Sequence, residues 1–137
     1  MDTLIVLHSH MRHLVMLLAA FAVVLPAVAA LRRVALSKID VLAVRLFAGV
    51  VTLQWLLGLI QLVMRWSDLG DGLRTRLEHA ALMTVVVGLV HMSGRWIKAP
   101  ADVGPRNLTF FMLACLLLIQ LGIALVAPHF TIFASFM

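Results

Sequence analysis

Residues 3–31 read TLIVLHSHMRHLVMLLAAFAVVLPAVAAL, an apolar run interrupted only near its start, by His8, Ser9, His10, Arg12 and His13. A helix needs about 20 predominantly apolar residues to cross the hydrocarbon layer, and this run exceeds that. Three further stretches qualify: 41–64, 77–97 and 108–127, of which the third is the least apolar because it holds Glu78, His79 and His91. Hydrocarbon offers no hydrogen bonds, so each span must satisfy its own backbone, and helices are predicted throughout. A cleaved leader opens with positive charge and carries a shorter apolar run. Here Asp2 precedes the histidines, and the segment is read as a retained span despite the small residues Ala27–Ala30.

Composition agrees with that reading. The chain has 137 residues, enough for one domain. Hydrophobic residues make up 64% and charged residues 12%, and the mean hydropathy is +1.10. So few charges cannot cover the surface of a water-soluble globule of this size. A soluble enzyme, a disordered chain and a disulfide scaffold are therefore excluded as readings, and the single Cys115 cannot close an internal bridge. The net charge of +5 is read as a topology signal and an affinity for anionic lipid, with no nucleic-acid partner implied. No phosphate-binding glycine loop, dinucleotide fingerprint, paired-cysteine metal motif or nucleophile elbow occurs.

Short connections between consecutive spans make neighbours antiparallel, so the expected architecture is an all-α, integral-membrane, up-down-up-down four-helix bundle. Arg32, Arg33, Lys38 and Arg45 lie around the first loop, and Arg95, Lys98 and Arg106 around the third. They outnumber Arg12, Arg65, Arg74 and Arg76 on the other side. The excess predicts the first and third loops in the cytoplasm of a bacterial inner membrane and both termini outside. Trp66 and Trp96 are expected to anchor opposite interfaces. Asp68–Gly72 reads as a turn-rich linker. Pro100 and Pro105 are expected to keep the third loop non-helical, with Asn107 as the N-cap of the last helix.

Helical geometry sorts the polar residues, which are costly inside a membrane and mark function by default. On the first span His8 and Arg12 share a face with Ala19, Ala22, Pro26 and Ala30. Small residues let helices approach, so this face is predicted to point inward. His10 and His13 share bulky apolar faces and are expected at the outer headgroup level. Gln54, Gly58, Gln61 and Arg65 form one inward stripe on the second span. Gln120 lies near the middle of the fourth and needs a partner. His91 is expected to bond Thr84 or a loop carbonyl, and His129 to lie at the outer surface. On the third span His79 and His91 are about 18 Å apart along the axis and on different faces, so they cannot serve one site.

The first and third spans run parallel, which brings His8 and His79 to the same end of the bundle. Two inward imidazoles with an apolar lining are the protein ligands that haem b iron requires. Arg12 would neutralise a propionate, and Gln61 and Glu78 would orient the ring N–H of a histidine ligand. His13 matches the depth of His79 better but points away, and is held as a reserve ligand. A copper site in His8, His10 and His13 conflicts with helical geometry, which splays the three rings to different sides. The leading expectation is a haem-b-binding electron-transfer protein without catalytic activity alone, docked on a larger respiratory or photosynthetic complex. The alternative is a cofactor-free accessory subunit of such a complex. A quinone or proton site using His91, Gln54 and Gln120 is a third reading.

The elements Leu7-His8-Ser9 with Arg12, Leu53-Gln54 with Gly58-Leu59, Glu78-His79 with Met83, Gly94-Arg95 with Lys98, and a last helix opening with Arg106 are in place. In this spacing the chain resembles a family of small four-span bacterial membrane proteins often labelled "cytochrome B". The resemblance covers most of the chain. It implies a four-helix membrane bundle and haem, and adds weight to His8, Arg12, Gln54, Glu78 and His79. The chain departs from the family pattern in having His13 where an aromatic is usual, and in closing with Pro128-His129-Phe130 in place of Pro-Trp.

Overall fold

The computed structural model describes residues 2–126, and every regular element among them is helical. Helix α1 spans Asp2–Arg32 and α2 spans Lys38–Met64. Two single turns of 3₁₀ helix, Trp66–Asp68 and Gly70–Gly72, carry the chain into α3, Leu73–Met92. A short α4, Gly94–Ile97, precedes α5, Gly104–Val126. The four long segments are each long and apolar enough to cross a membrane, so the chain is an all-α four-helix bundle of a multi-pass membrane protein. Ala127, predicted to close the fourth span, and His129 lie outside the described residues.

The boundaries have local causes. Helix α2 opens with a capping box: Ser37 Oγ accepts from the Asp40 amide at 3.2 Å, and the Asp40 carboxylate accepts from the Ser37 amide at 2.7 Å. The helix therefore starts before the predicted position 41. Helix α3 likewise begins at Leu73, ahead of the predicted position 77, and breaks at Ser93. The predicted cap at Asn107 is corrected. Helix α5 starts at Gly104, and Pro105 lies in its first turn, where a proline costs no intrahelical hydrogen bond. Gly104 is needed there, because a Cβ would come within 2.7 Å of the Trp96 carbonyl.

Helices α1 and α3 each pack on both α2 and α5 and face one another across the bundle. Buried residues recur at steps of three and four: Val15, Ala19 and Ala22 on α1; Val44, Phe47 and Val51 on α2; Leu108, Met112, Cys115, Ile119 and Ile123 on α5. That spacing keeps a seam against its neighbours over several turns. Of the residues predicted to face inward with His8, Ala19, Ala22 and Pro26 are buried, with Phe47 in the same core, while Ala30 is only half-buried. Trp96 packs against this core, with its indole N–H buried and without a partner among the described residues, so it is more than an interfacial anchor.

Candidate functional site

Toward the other end the seam opens. No described residue of α1 before Val15, of α2 after Val51 or of α3 before Val86 is buried. A cavity of about 320 Å³ occupies this space, lined by all four long helices. His8 and Arg12 enter it from α1, Gln54 and Gln61 from α2, His79 from α3, and Ile119 and Ile123 from α5. The two predicted imidazoles thus share one chamber. His8 reaches the same chamber as His79 although His13 is predicted to be nearer to it in depth along α1.

Each histidine lies beside a glycine on a neighbouring helix. A Cβ at Gly58 would lie 3.0 Å from Cε1 of His8. A Cβ at Gly122 would run into Met83 and lie 3.5 Å from Nδ1 of His79. The missing side chain at Gly58 lets the His8 ring tuck against α2, whereas Gly122 makes room for Met83 beside His79.

The polar bonds are asymmetric in a chemically useful way. Nδ1–H of His79 donates to the Gly122 carbonyl at 2.7 Å, which leaves Nε2 as the ring's basic nitrogen. Nδ1 of His8 and Oε1 of Gln54 are buried with no partner among the described residues. A buried polar atom without a partner costs roughly 1–3 kcal/mol, so a lining with two of them is shaped for something polar to enter.

Gln54 and Gln61 clamp α1 in position. Gln54 Nε2 donates to the His8 carbonyl at 2.7 Å, and Gln61 Nε2 donates to the Leu4 carbonyl at 2.6 Å. The predicted role of Gln61 is therefore corrected: its amide holds the α1 backbone one turn from His8 in place of a histidine ring. Glu78 is likewise corrected. It is exposed and accepts from Arg74 Nε at 2.8 Å, one helical turn away; the Gly122 carbonyl takes the place assigned to it beside His79. His10 and the reserve ligand His13 are both exposed. His10 Nδ1–H donates to the Val6 carbonyl at 2.8 Å while His8 lines the chamber, and His8, His10 and His13 do not gather into a metal-binding group among the described residues.

Of the other cations, Arg65 lies on the predicted inward stripe of α2, whereas Arg76 was not anticipated. Arg65 and Arg76 line the chamber together with Arg12, and Arg76 lies within electrostatic reach of both rings. The signal for Arg76 was its position one turn before His79 on α3. The third set of predicted polar residues does not assemble. His91 Nε2–H donates to Thr52 Oγ1 at 2.9 Å on the exposed flank of α2 and α3, since the Thr52 hydroxyl donates to the Ala48 carbonyl. Thr84, its predicted partner, instead accepts from the Trp55 indole. Gln120 is buried and donates to Met16 Sδ at 3.0 Å between α1 and α5. Only Gln54 of that trio lines the chamber. Comparison with protein-family models, curated proteins and solved structures finds no match to this chain.

Proposed function

We propose that the chain binds one haem b between α1 and α3 and passes electrons within the membrane, in contact with a larger respiratory or photosynthetic complex. The observation that carries this reading is the pairing of His8 and His79 in one chamber, one with a buried unpartnered nitrogen and the other with Nδ1–H committed to a carbonyl. Among the described residues no three His, Cys, Asp or Glu side chains gather into a metal cluster. A pair of imidazoles is a donor set that haem iron accepts, the macrocycle supplying the remaining positions. The donor set fits the group.

In this reading His8 and His79 would hold the haem iron. The Gly122 carbonyl holds the His79 ring in the tautomer that leaves Nε2 free, as outer partners of metal-bound histidine do. Gln54 and Gln61 fix the backbone on which His8 rides. Arg12, Arg65 and Arg76 supply positive charge for propionates. When bound, the haem supplies a one-electron couple, whose potential follows ligation, burial and neighbouring charge. The loops between the helices are short, which favours a partner in or on the membrane over capture by a separate soluble module.

The test is the visible spectrum of the purified protein, oxidised and dithionite-reduced, with a pyridine haemochrome assay for stoichiometry. A b-type spectrum at one haem per chain is expected. A colourless protein that co-purifies with a larger assembly would instead support a cofactor-free accessory subunit.

A further inference from the structure

At the opposite end of the bundle from the histidine chamber, an open groove runs between the end of α1 and the start of α5. Its floor is apolar, with Ala27, Ala30 and Phe110, and its rim carries Arg33, Arg106 and Asp102. None of the three charged side chains makes an ion pair among the described residues. We infer that this groove holds one anionic phospholipid, with its phosphate between Arg33 and Arg106 and an acyl chain along the floor.

The backbone supplies the second observation. Arg33 has φ of 55°, and no other non-glycine residue among those described has a positive φ. It follows the last turn of α1, its amide donating to the Ala30 carbonyl at 3.2 Å and the Val34 amide to the Ala29 carbonyl at 3.1 Å. This is the helix-terminating motif whose left-handed position is normally glycine. A side chain there is strained. An arginine at this strained position, lining the groove, is explained if the cation is needed there.

Charge selects the occupant. The helix ends and loops on this side also hold Arg32, Lys38, Arg95 and Lys98 beside Asp40, whereas those at the chamber end balance Arg65, Arg74 and Arg76 with Asp68, Asp71 and Glu78. A basic pocket between membrane helices is suited to an acidic headgroup. Asp102 disfavours a doubly charged phosphate and can accept from a headgroup hydroxyl, so the lipid matched here is a mono-anionic glycerol headgroup, phosphatidylglycerol.

The experiment is native mass spectrometry of the delipidated full chain in detergent, titrated separately with phosphatidylglycerol, phosphatidylethanolamine and phosphatidylcholine. Phosphatidylglycerol is expected to bind tightest. Loss of one cation should weaken it about fivefold, and loss of both about thirtyfold, from the usual contribution per cation near a lipid surface. Arg33→Gly is the informative variant: glycine relieves the backbone, so the thermal midpoint should hold or rise while lipid binding falls. Arg74→Gln, in the exposed ion pair elsewhere, should leave binding unchanged. Equal binding of phosphatidylcholine, preference for phosphatidylethanolamine, or full retention of phosphatidylglycerol by the R33G/R106Q double variant would each overturn the assignment.

Discussion

The two halves of the bundle are built from the same four helices but are packed differently. Around Phe47, Leu108, Met112, Val86 and Val90 the side chains are fully buried and the seam is closed. Around His8 and His79, α1, α2 and α3 contribute no buried residue, and only α5 keeps its inner stripe through Ile123. In a membrane, lipid tails are as apolar as leucine, so close packing and interhelical hydrogen bonds provide the attraction between helices. The closed half relies on packing. The open half replaces part of it with bonds from Gln54 and Gln61 to the α1 backbone and from His79 to the α5 backbone. The difference shows how a small bundle can carry a polar chamber: one half supplies rigidity and the other holds imidazoles in fixed directions at some cost in packing.

Substitutions should separate the halves. The largest effect is expected at the rings. His8→Ala or His79→Ala should abolish the b-type spectrum in the purified protein while far-ultraviolet circular dichroism stays helical, because neither ring belongs to the closed core. Gly58→Leu should come close to that loss, since even a Cβ there lies 3.0 Å from the His8 ring; the same spectra check it. In the closed half the readout is stability. Phe47 is 0% exposed, and Phe47→Ala should cost roughly 2–3 kcal/mol in detergent unfolding, the packing share of the penalty for a large-to-small core change. Gln61→Leu removes one bond between α1 and α2, and about 0.6 kcal/mol is the usual size of such a loss in membrane bundles. Glu78→Gln should be the mildest, at most about 0.5 kcal/mol with an unchanged spectrum, because its partner Arg74 is a surface neighbour.

The halves also differ in how far sequence reveals them. The four spans follow from apolar length, and the inward face of α1 follows from the spacing of Ala19, Ala22 and Pro26, which carries His8 inward and leaves His10 and His13 outside. Helical phase settles such questions within one helix. It cannot reveal which backbone carbonyl on another helix a side chain will meet. The bond from His79 to Gly122 joins positions 43 residues apart, and Gln61 reaches Leu4 across 57. Glu78 beside His79 suggested a partner for the ring, but adjacent residues on a helix point about 100° apart, and Arg74 one turn earlier was the better neighbour. Pro105 was read as a helix breaker, although a first-turn proline is also a helix starter. The Ser37–Asp40 capping box was legible and fell outside the span limits only because those followed hydropathy.

The most direct measurement is low-temperature electron paramagnetic resonance of the oxidised protein, beside the two single histidine variants. A low-spin signal of an iron held by two imidazoles is expected in the wild type, converted to high-spin or lost in both His8→Ala and His79→Ala. A wild type with no haem signal, or a low-spin signal that survives either substitution, would contradict the shared chamber as the seat of the cofactor.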